Sequence, residues 1–277
     1  MIVDAHQHFW DLDSGIYSWP TPDLAPIHRT FGPADLAPEL AVAGVDATVL
    51  VQADDSYADT DAMLAHADAH GFIAAVVGWV PLDRPDEAAE AIERYRRHPK
   101  FAGVRHLIHT EPDPDWLVRD TVLESLGLVA AAGLTFDVVS LLPRHLEHVV
   151  TLAERHPTLN IVVDHLSKPR IRDREWEPWA SLLAAAAGAP NVYAKVSGLV
   201  TEADQANWTV EDLRPYVEHA VEVFGPERLM AGSDWPVALL ASDYRTVWEV
   251  TAALLGGTDR DQVLGGTAVR FYGFNEL

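Results

Sequence analysis

The chain has no cysteine among its 277 residues, which excludes a disulfide framework and any thiolate metal site. Positive charge is scarce, with 20 Lys and Arg against 42 Asp and Glu and a formal net charge of -22. A nucleic-acid backbone or an anionic membrane surface is repelled by such a balance, so neither is expected as a partner. An anionic substrate would need local positive charge. No apolar run approaches the roughly 20 residues of a membrane span, and the opening Met-Ile-Val-Asp-Ala-His has no basic stretch of the kind that begins a secretory signal. These absences together lead us to expect a cytoplasmic protein. No GxGxxG or P-loop pattern follows any apolar run, which weighs against an open nucleotide-binding sheet.

What is present suits one large core: 48% hydrophobic residues, nine tryptophans and only 22% charged residues. Short apolar runs recur at 2–9, 47–54, 74–82, 102–109, 135–140, 160–167, 192–199 and 229–236, and each reads as a strand. Between them, helical spacing fits 61–70, 85–97, 119–132, 144–156, 177–187, 210–224 and 242–255. Asp83 and Pro85 punctuate the start of one helix, and Thr258 with Asp261 resembles a capping box. Eight alternating units predict a single-domain (β/α)8 TIM barrel over residues 1–277, with strands paired in parallel through right-handed crossovers. The exception to the rhythm is 11–38, a proline-rich stretch too long for an ordinary βα connection, expected as a loop over the active site.

Chemistry gathers at predicted strand ends. His6-Gln7-His8 lies in the first strand, where period-two alternation turns both imidazoles to one side. Asp164-His165 ends the apolar run of the sixth, and Asp234 stands near the end of the eighth in Gly-Ser-Asp-Trp-Pro. Acidic residues seldom occupy buried strands unless paired or working; a helix cap or an arginine partner is the structural alternative for Asp234. Arg105, Lys195 and Gln52 are polar residues inside apolar strands, suited to substrate binding or, alternatively, to an ion pair, a buried carboxylate or a backbone group within the barrel. Trp79 and Trp235 offer flat faces to a ring or pack in the core. His66, His70, His98, His145, His148, His156 and His219 fall on or beside predicted helices and read as surface.

The His-x-His pair, Asp-His-Leu-Ser-Lys-Pro (164–169) and Gly-Ser-Asp-Trp-Pro (232–236), with Val-Gly-Trp-Val (77–80), Gly-Val-Arg-His (103–106) and Lys-Val-Ser-Gly-Leu (195–199), resemble the amidohydrolase superfamily and within it the sugar-lactonase branch. The resemblance spans essentially the whole chain. It implies hydrolysis of an aldonolactone, such as L-fuconolactone or L-rhamnonolactone, with Asp234 as general base on water and His6, His8 and His165 beside it. The bridging lysine and the histidine that two-metal members carry on strands four and five are absent: those strands read Val-Arg-His-Leu-Ile and Thr-Phe-Asp-Val-Val, where Asp137 is the one conceivable replacement. His6, His8, His165 and Asp234 remain as donors for one zinc or manganese ion, with no strict metal requirement expected. A metal-dependent decarboxylase or amide hydrolase of the same superfamily, and a non-catalytic sugar-acid binder, are the competing readings. A homo-oligomer is compatible with the sequence.

Overall fold

The computed structural model describes residues 1–256 and 259–274. Its framework is one eight-stranded sheet of β1 (Val3–Gln7), β2 (Ala47–Val51), β3 (Ile73–Gly78), β4 (Phe101–His106), β5 (Thr135–Val138), β6 (Ile161–Val163), β7 (Val192–Val196) and β8 (Leu229–Ala231). The strands are hydrogen-bonded in sequence order, each pair parallel. Helices return the chain between strands: α1 (Pro33–Ala43), α2 (Tyr57–Ala69), α3 (Pro85–Tyr95), α4 (Asp120–Ala131), α5 (Pro143–Arg155), α6 (Trp179–Ala187), the short α7 (Leu199–Glu202) with α8 (Val210–Phe224), and α9 (Tyr244–Leu254). A last helix, α10 (Thr267–Tyr272), follows. This is the expected (β/α)8 barrel. No helix among the described residues is long and apolar enough to cross a membrane.

The seam between β8 and β1 closes the barrel by a different device from the other ladders. The N–H of His8 donates to the Trp235 carbonyl at 2.7 Å and that of Asp234 to the His6 carbonyl at 2.8 Å. Below them, the fully buried Asp4 carboxylate accepts from the Ser233 N–H at 2.8 Å, the Ser233 hydroxyl at 2.6 Å and the Tyr244 hydroxyl at 3.1 Å. The register of β1 against β2 shifts between Asp4 and Gln7. Strict alternation therefore breaks there: Asp4 serves the seam while His6 meets groups from β6 and β7.

Apolar packing forms two bodies. A large cluster lies between strands and helices, and a smaller one gathers Val3, Ala5, Val49, Val51, Val77 and Met230 over Phe271 and Tyr272 of α10. Valine and alanine dominate the smaller body because branched, short side chains fill a barrel's layers without forcing the strands apart.

Several strands stop short of their apolar runs. The run 160–167 leaves the ladder at Val163 because His165, Leu166, Ser167 and Lys168 all take left-handed φ of 49–62°, and the run 229–236 leaves it at Ala231 ahead of Asp234, with φ 57°. The expected loop 11–38 is shorter: Pro33 occupies the first helical position of α1, where its missing N–H costs nothing. Helix α2 starts four residues ahead of its expected first residue, capped by Ser56, and Arg84 rather than Asp83 precedes α3. The Thr258–Asp261 capping box falls partly outside the described residues.

Residues 11–32 are tied to the barrel at both ends. Trp10 Nε1 donates to the Arg29 carbonyl at 2.8 Å, and the Tyr17 hydroxyl donates to Asp59 Oδ1 at 2.6 Å. Asp59 Oδ2 also accepts from the Ala53 and Asp54 N–H groups. Burial pushes the Asp59 carboxyl up to about 6, although these donors pull the other way. Its native proton affinity therefore exceeds its ordinary one, so the stability it contributes is fully present below about pH 3.8 and is lost as pH rises through about 6. Relative to Asp59→Asn, the parent chain should be favoured more at pH 4 than at pH 7, by up to about 3 kcal/mol. Urea unfolding at both values measures this, and a pH-independent gap would contradict it.

Candidate active site

The carboxyl ends of the strands deliver the polar residues to one place, as the barrel geometry leads one to expect. His6 Nε2 lies 3.1 Å from His8 Nε2 and 3.8 Å from Asp234 Oδ1, and Asp234 Oδ1 lies 3.4 Å from His8 Nε2 and 3.9 Å from His165 Nε2. Each imidazole is oriented from behind. His8 Nδ1 donates to the Val51 carbonyl at 2.7 Å, and His165 Nδ1 meets the Ser197 hydroxyl at 2.8 Å. His6 Nδ1 stands 3.3 Å from Asp164 Oδ1 and 3.1 Å from Lys195 Nζ.

Behind the imidazoles lies a paired set of buried charges. Asp164 is bound by Arg105 at 3.1 Å and by Lys195 at 3.1 Å, and Lys195 also donates to Asp137 at 2.5 Å. Asp137 accepts from the Tyr272 hydroxyl at 2.8 Å as well, so it braces Lys195 beneath the site and does not stand in for a strand-five metal ligand. Two cations balance two carboxylates in charge, as buried charges require, while Asp137 Oδ1 and Asp164 Oδ1 are left without a hydrogen-bond partner. Burial alone would raise the Asp164 carboxyl; Lys195, His6 and Arg105 outweigh it and hold it well below the ordinary carboxylate range.

Asp234 follows the same logic nearer the solvent. Burial opposes its charge, but His165, His8 and His6 prevail, and its carboxyl is held below the usual range. The histidines move the opposite way to their neighbour: burial lowers His6 and His8, and takes His165 down to about 4. At neutral pH the centre is thus one carboxylate ringed by three neutral imidazoles.

A cavity of about 490 Å³ opens onto His8, His165, Asp234 and Arg105, with Tyr17, Ser18 and Trp19 on one wall and Asp54, Asp55, Leu107 and His109 on another. His6, Gln52, Lys195, Trp79 and Trp235 are not among the residues that line it. Gln52 Oε1 accepts from Arg105 at 3.1 Å and its Nε2 donates to Asp55 at 2.6 Å. Trp79 Nε1 donates to His106 Nδ1 at 3.1 Å, and the Trp235 ring packs edge-on against Phe9 and Phe31. Arg105 reaches the cavity, yet its guanidinium donates to Gln52 Oε1, the Gln52 carbonyl, Asp164 and His6, which occupies its N–H groups. It contributes a fixed positive charge. His145 and His148, expected on the surface, are buried; His148 pairs with Asp115 at 2.8 Å.

The left-handed turn 165–168 costs on the order of 1 kcal/mol per residue and is held by specific bonds. Trp179 Nε1 donates to the Leu166 carbonyl at 2.6 Å, Ser140 bonds Ser167 at 2.7 Å, and Lys168 pairs with Glu202 at 2.8 Å. Gly198, not singled out from the sequence, is required twice over. Its φ is +62°, and a Cβ there would lie 2.7 Å from Asp234 Oδ2 and 2.8 Å from His165 Nδ1. The Lys-Val-Ser-Gly-Leu motif carried that signal.

The donor atoms fit a divalent ion. Tetrahedral zinc with bonds of about 2.0–2.1 Å sets its ligand atoms ~3.3 Å apart, close to the 3.1 and 3.4 Å spans around His8. The backbone-oriented His8 is the usual outer-shell arrangement, and His6, His8 and Asp234 form one candidate cluster while His6, Asp164 and His165 form another.

A family model described as Amidohydrolase matches residues 3–274. The chain is 41% identical to the L-fucono-1,5-lactonase of Burkholderia ambifaria, over 98% of this chain and 94% of that protein. It is 33% identical to the L-fucono-1,5-lactonase of Burkholderia multivorans, over 99% and 96%. An amidohydrolase from Burkholderia multivorans, solved with bound zinc, shares the fold at a TM-score of 0.93 and 31% identity, covering 99% of this chain and 100% of that one.

Gly198→Ala should lower kcat/KM by about 100-fold or more, since near-ångström displacement of reacting groups has that scale, and the melting temperature by only a few degrees. Thermal melts beside kinetics separate the two effects. Retention of near-parental activity would show that Asp234 and His165 do not need their observed positions.

Proposed function

The chain belongs to the amidohydrolase family, and from that footing we propose that it hydrolyses the ring ester of an aldonolactone, such as L-fuconolactone or L-rhamnonolactone, to the sugar acid. Asp234 carries the reading: it is an ionised carboxylate among neutral imidazoles at the cavity floor, in a chain 41% identical to a protein named for that reaction. The same identity weighs against the decarboxylase and amide-hydrolase readings.

Asp234 accepts a proton from water as the water oxygen bonds to the lactone carbonyl carbon. His165, with Nδ1 accepting from the Ser197 hydroxyl, presents Nε2–H to the developing oxyanion. His6 and His8 flank the carboxylate, and Arg105 adds positive charge behind them. Collapse of the tetrahedral intermediate breaks the bond to the ring oxygen, which takes the proton back from Asp234 and leaves as a hydroxyl.

His6, His8, His165 and Asp234 would hold a divalent ion; when bound, such an ion polarises a carbonyl and acidifies water. We read the ion as dispensable, because the Arg105 guanidinium already stands 3.3 Å from His6 Nε2.

Acid release from freshly prepared five- and six-membered aldonolactones tests the reaction. The parent should hydrolyse a stereochemically related subset, and Asp234→Asn should lose about 10²–10⁴-fold in kcat. Unchanged activity in that variant removes Asp234 from the chemistry. Activity should also survive exhaustive chelation verified by metal analysis; loss on chelation with recovery on zinc addition would move carbonyl activation onto the ion.

A further inference from the structure

The polar groups of the cavity divide into those already engaged by the protein and those left for a ligand. Arg105 is saturated, Lys168 is paired with Glu202 at 2.8 Å, and Asp55 accepts from Gln52 at 2.6 Å and from the Leu107 N–H at 3.1 Å. Asp54, His109 and Ser18 line the same cavity, and among the described residues none of their three side chains has a hydrogen-bond or ion-pair partner. Asp54 is set in place through its backbone: its N–H donates to Asp59 Oδ2, and its carbonyl accepts from the Ser56 N–H at 2.9 Å. A neutral His109 ring offers one donor and one acceptor.

We propose that Asp54, with His109 and Ser18, reads the ring hydroxyls of the substrate, and that Asp54 confines the enzyme to uncharged polyhydroxylated lactones by repelling those that carry a carboxylate. The proposal rests on the lactonase reading and sharpens its substrate class. A carboxylate is an acceptor only, with two oxygens able to take hydroxyls from neighbouring ring carbons, and hydrogen bonds to a charged group are the stronger kind. The converse follows from the charges that remain: among the described residues no unpaired cation faces the cavity, whereas Asp54 is an unpaired anion. A carboxylate-bearing lactone would meet like charge at one wall and no free guanidinium or ammonium to offset it.

The test compares the parent, Asp54→Ala and the near-isosteric Asp54→Asn on an aldono-1,5-lactone, on δ-valerolactone, which has the ring without hydroxyls, and on an aldarolactone carrying a free carboxylate. In Asp54→Ala, kcat/KM for the aldonolactone should fall about 10–100-fold, as expected for losing bonds to a charged acceptor, with a loss on δ-valerolactone smaller by roughly tenfold or more. In both variants the preference for the aldarolactone over the aldonolactone should rise by about tenfold or more. Equal losses on all three lactones, or no change in either variant, would overturn the assignment while leaving the lactonase intact. A parent inactive on every lactone would overturn the lactonase reading and this one with it.

Discussion

The closure of β8 on β1 is the constraint from which the rest of the active centre follows. Three consecutive residues after β8 are pinned to β1: Ser233 to the buried Asp4 carboxylate, Asp234 through its N–H to His6, and Trp235 through its carbonyl to His8. Without this seam the first and last strands would be sheet edges, and the carboxylate would have no fixed relation to the His-x-His pair. The bonds that complete the barrel are therefore the bonds that set the 3.4 Å spacing of Asp234 from His8. Fold closure and site assembly are one event, which also explains why a carboxylate occupies the seam: Asp4 satisfies four donors, the His6 N–H among them, that no apolar side chain could.

Electrostatics are layered beneath that seam. Lys195 and Arg105 bracket Asp164, and Asp137 balances Lys195 from below. This lower layer is neutral as a set, and Arg105 is its member that reaches the cavity. The upper layer contains a single carboxylate and three imidazoles that burial keeps uncharged. Contact between the layers passes through His6, which touches Asp164 and Lys195 with one nitrogen and His8 and Arg105 with the other. A residue with no access to the cavity thereby transmits the orientation of the paired charges to the groups that face it.

Much of this was legible in the amino-acid order. Eight apolar runs gave the barrel because each is long enough to pair and too short to be a helix. His6, His8, His165 and Asp234 were marked by ionisable side chains at the ends of those runs. The strand ends were not legible, since a left-handed φ at His165 or Asp234 leaves no trace in apolar periodicity. Helix α1 was hidden by Pro33 and Pro38, which read as breakers although the first proline starts the helix. Lys195 and Gln52 illustrate a deeper ambiguity: a polar residue in a strand looks the same whether its partner is a ligand or, as for Lys195, a carboxylate 58 residues earlier. His109 and Gly198 were not singled out because their roles lie in what the fold brings against them: the cavity for His109, and Asp234 with His165 for Gly198.

Asp59 joins two loops that are distant in sequence. One of its oxygens holds the Tyr17 hydroxyl, and the other holds the backbone N–H groups of Ala53 and Asp54. The segments 11–32 and 53–59 are consequently a single heritable module, whose halves are not interchangeable one at a time. A chimera that imports 11–32 from a relative while keeping the native 53–59 would carry a foreign tyrosine position onto a native acceptor, and the wall bearing Trp19 would shift against the wall bearing Asp54. Recombination between such barrels is expected to succeed where the crossover lies after α2 and to fail where it falls between the two loops.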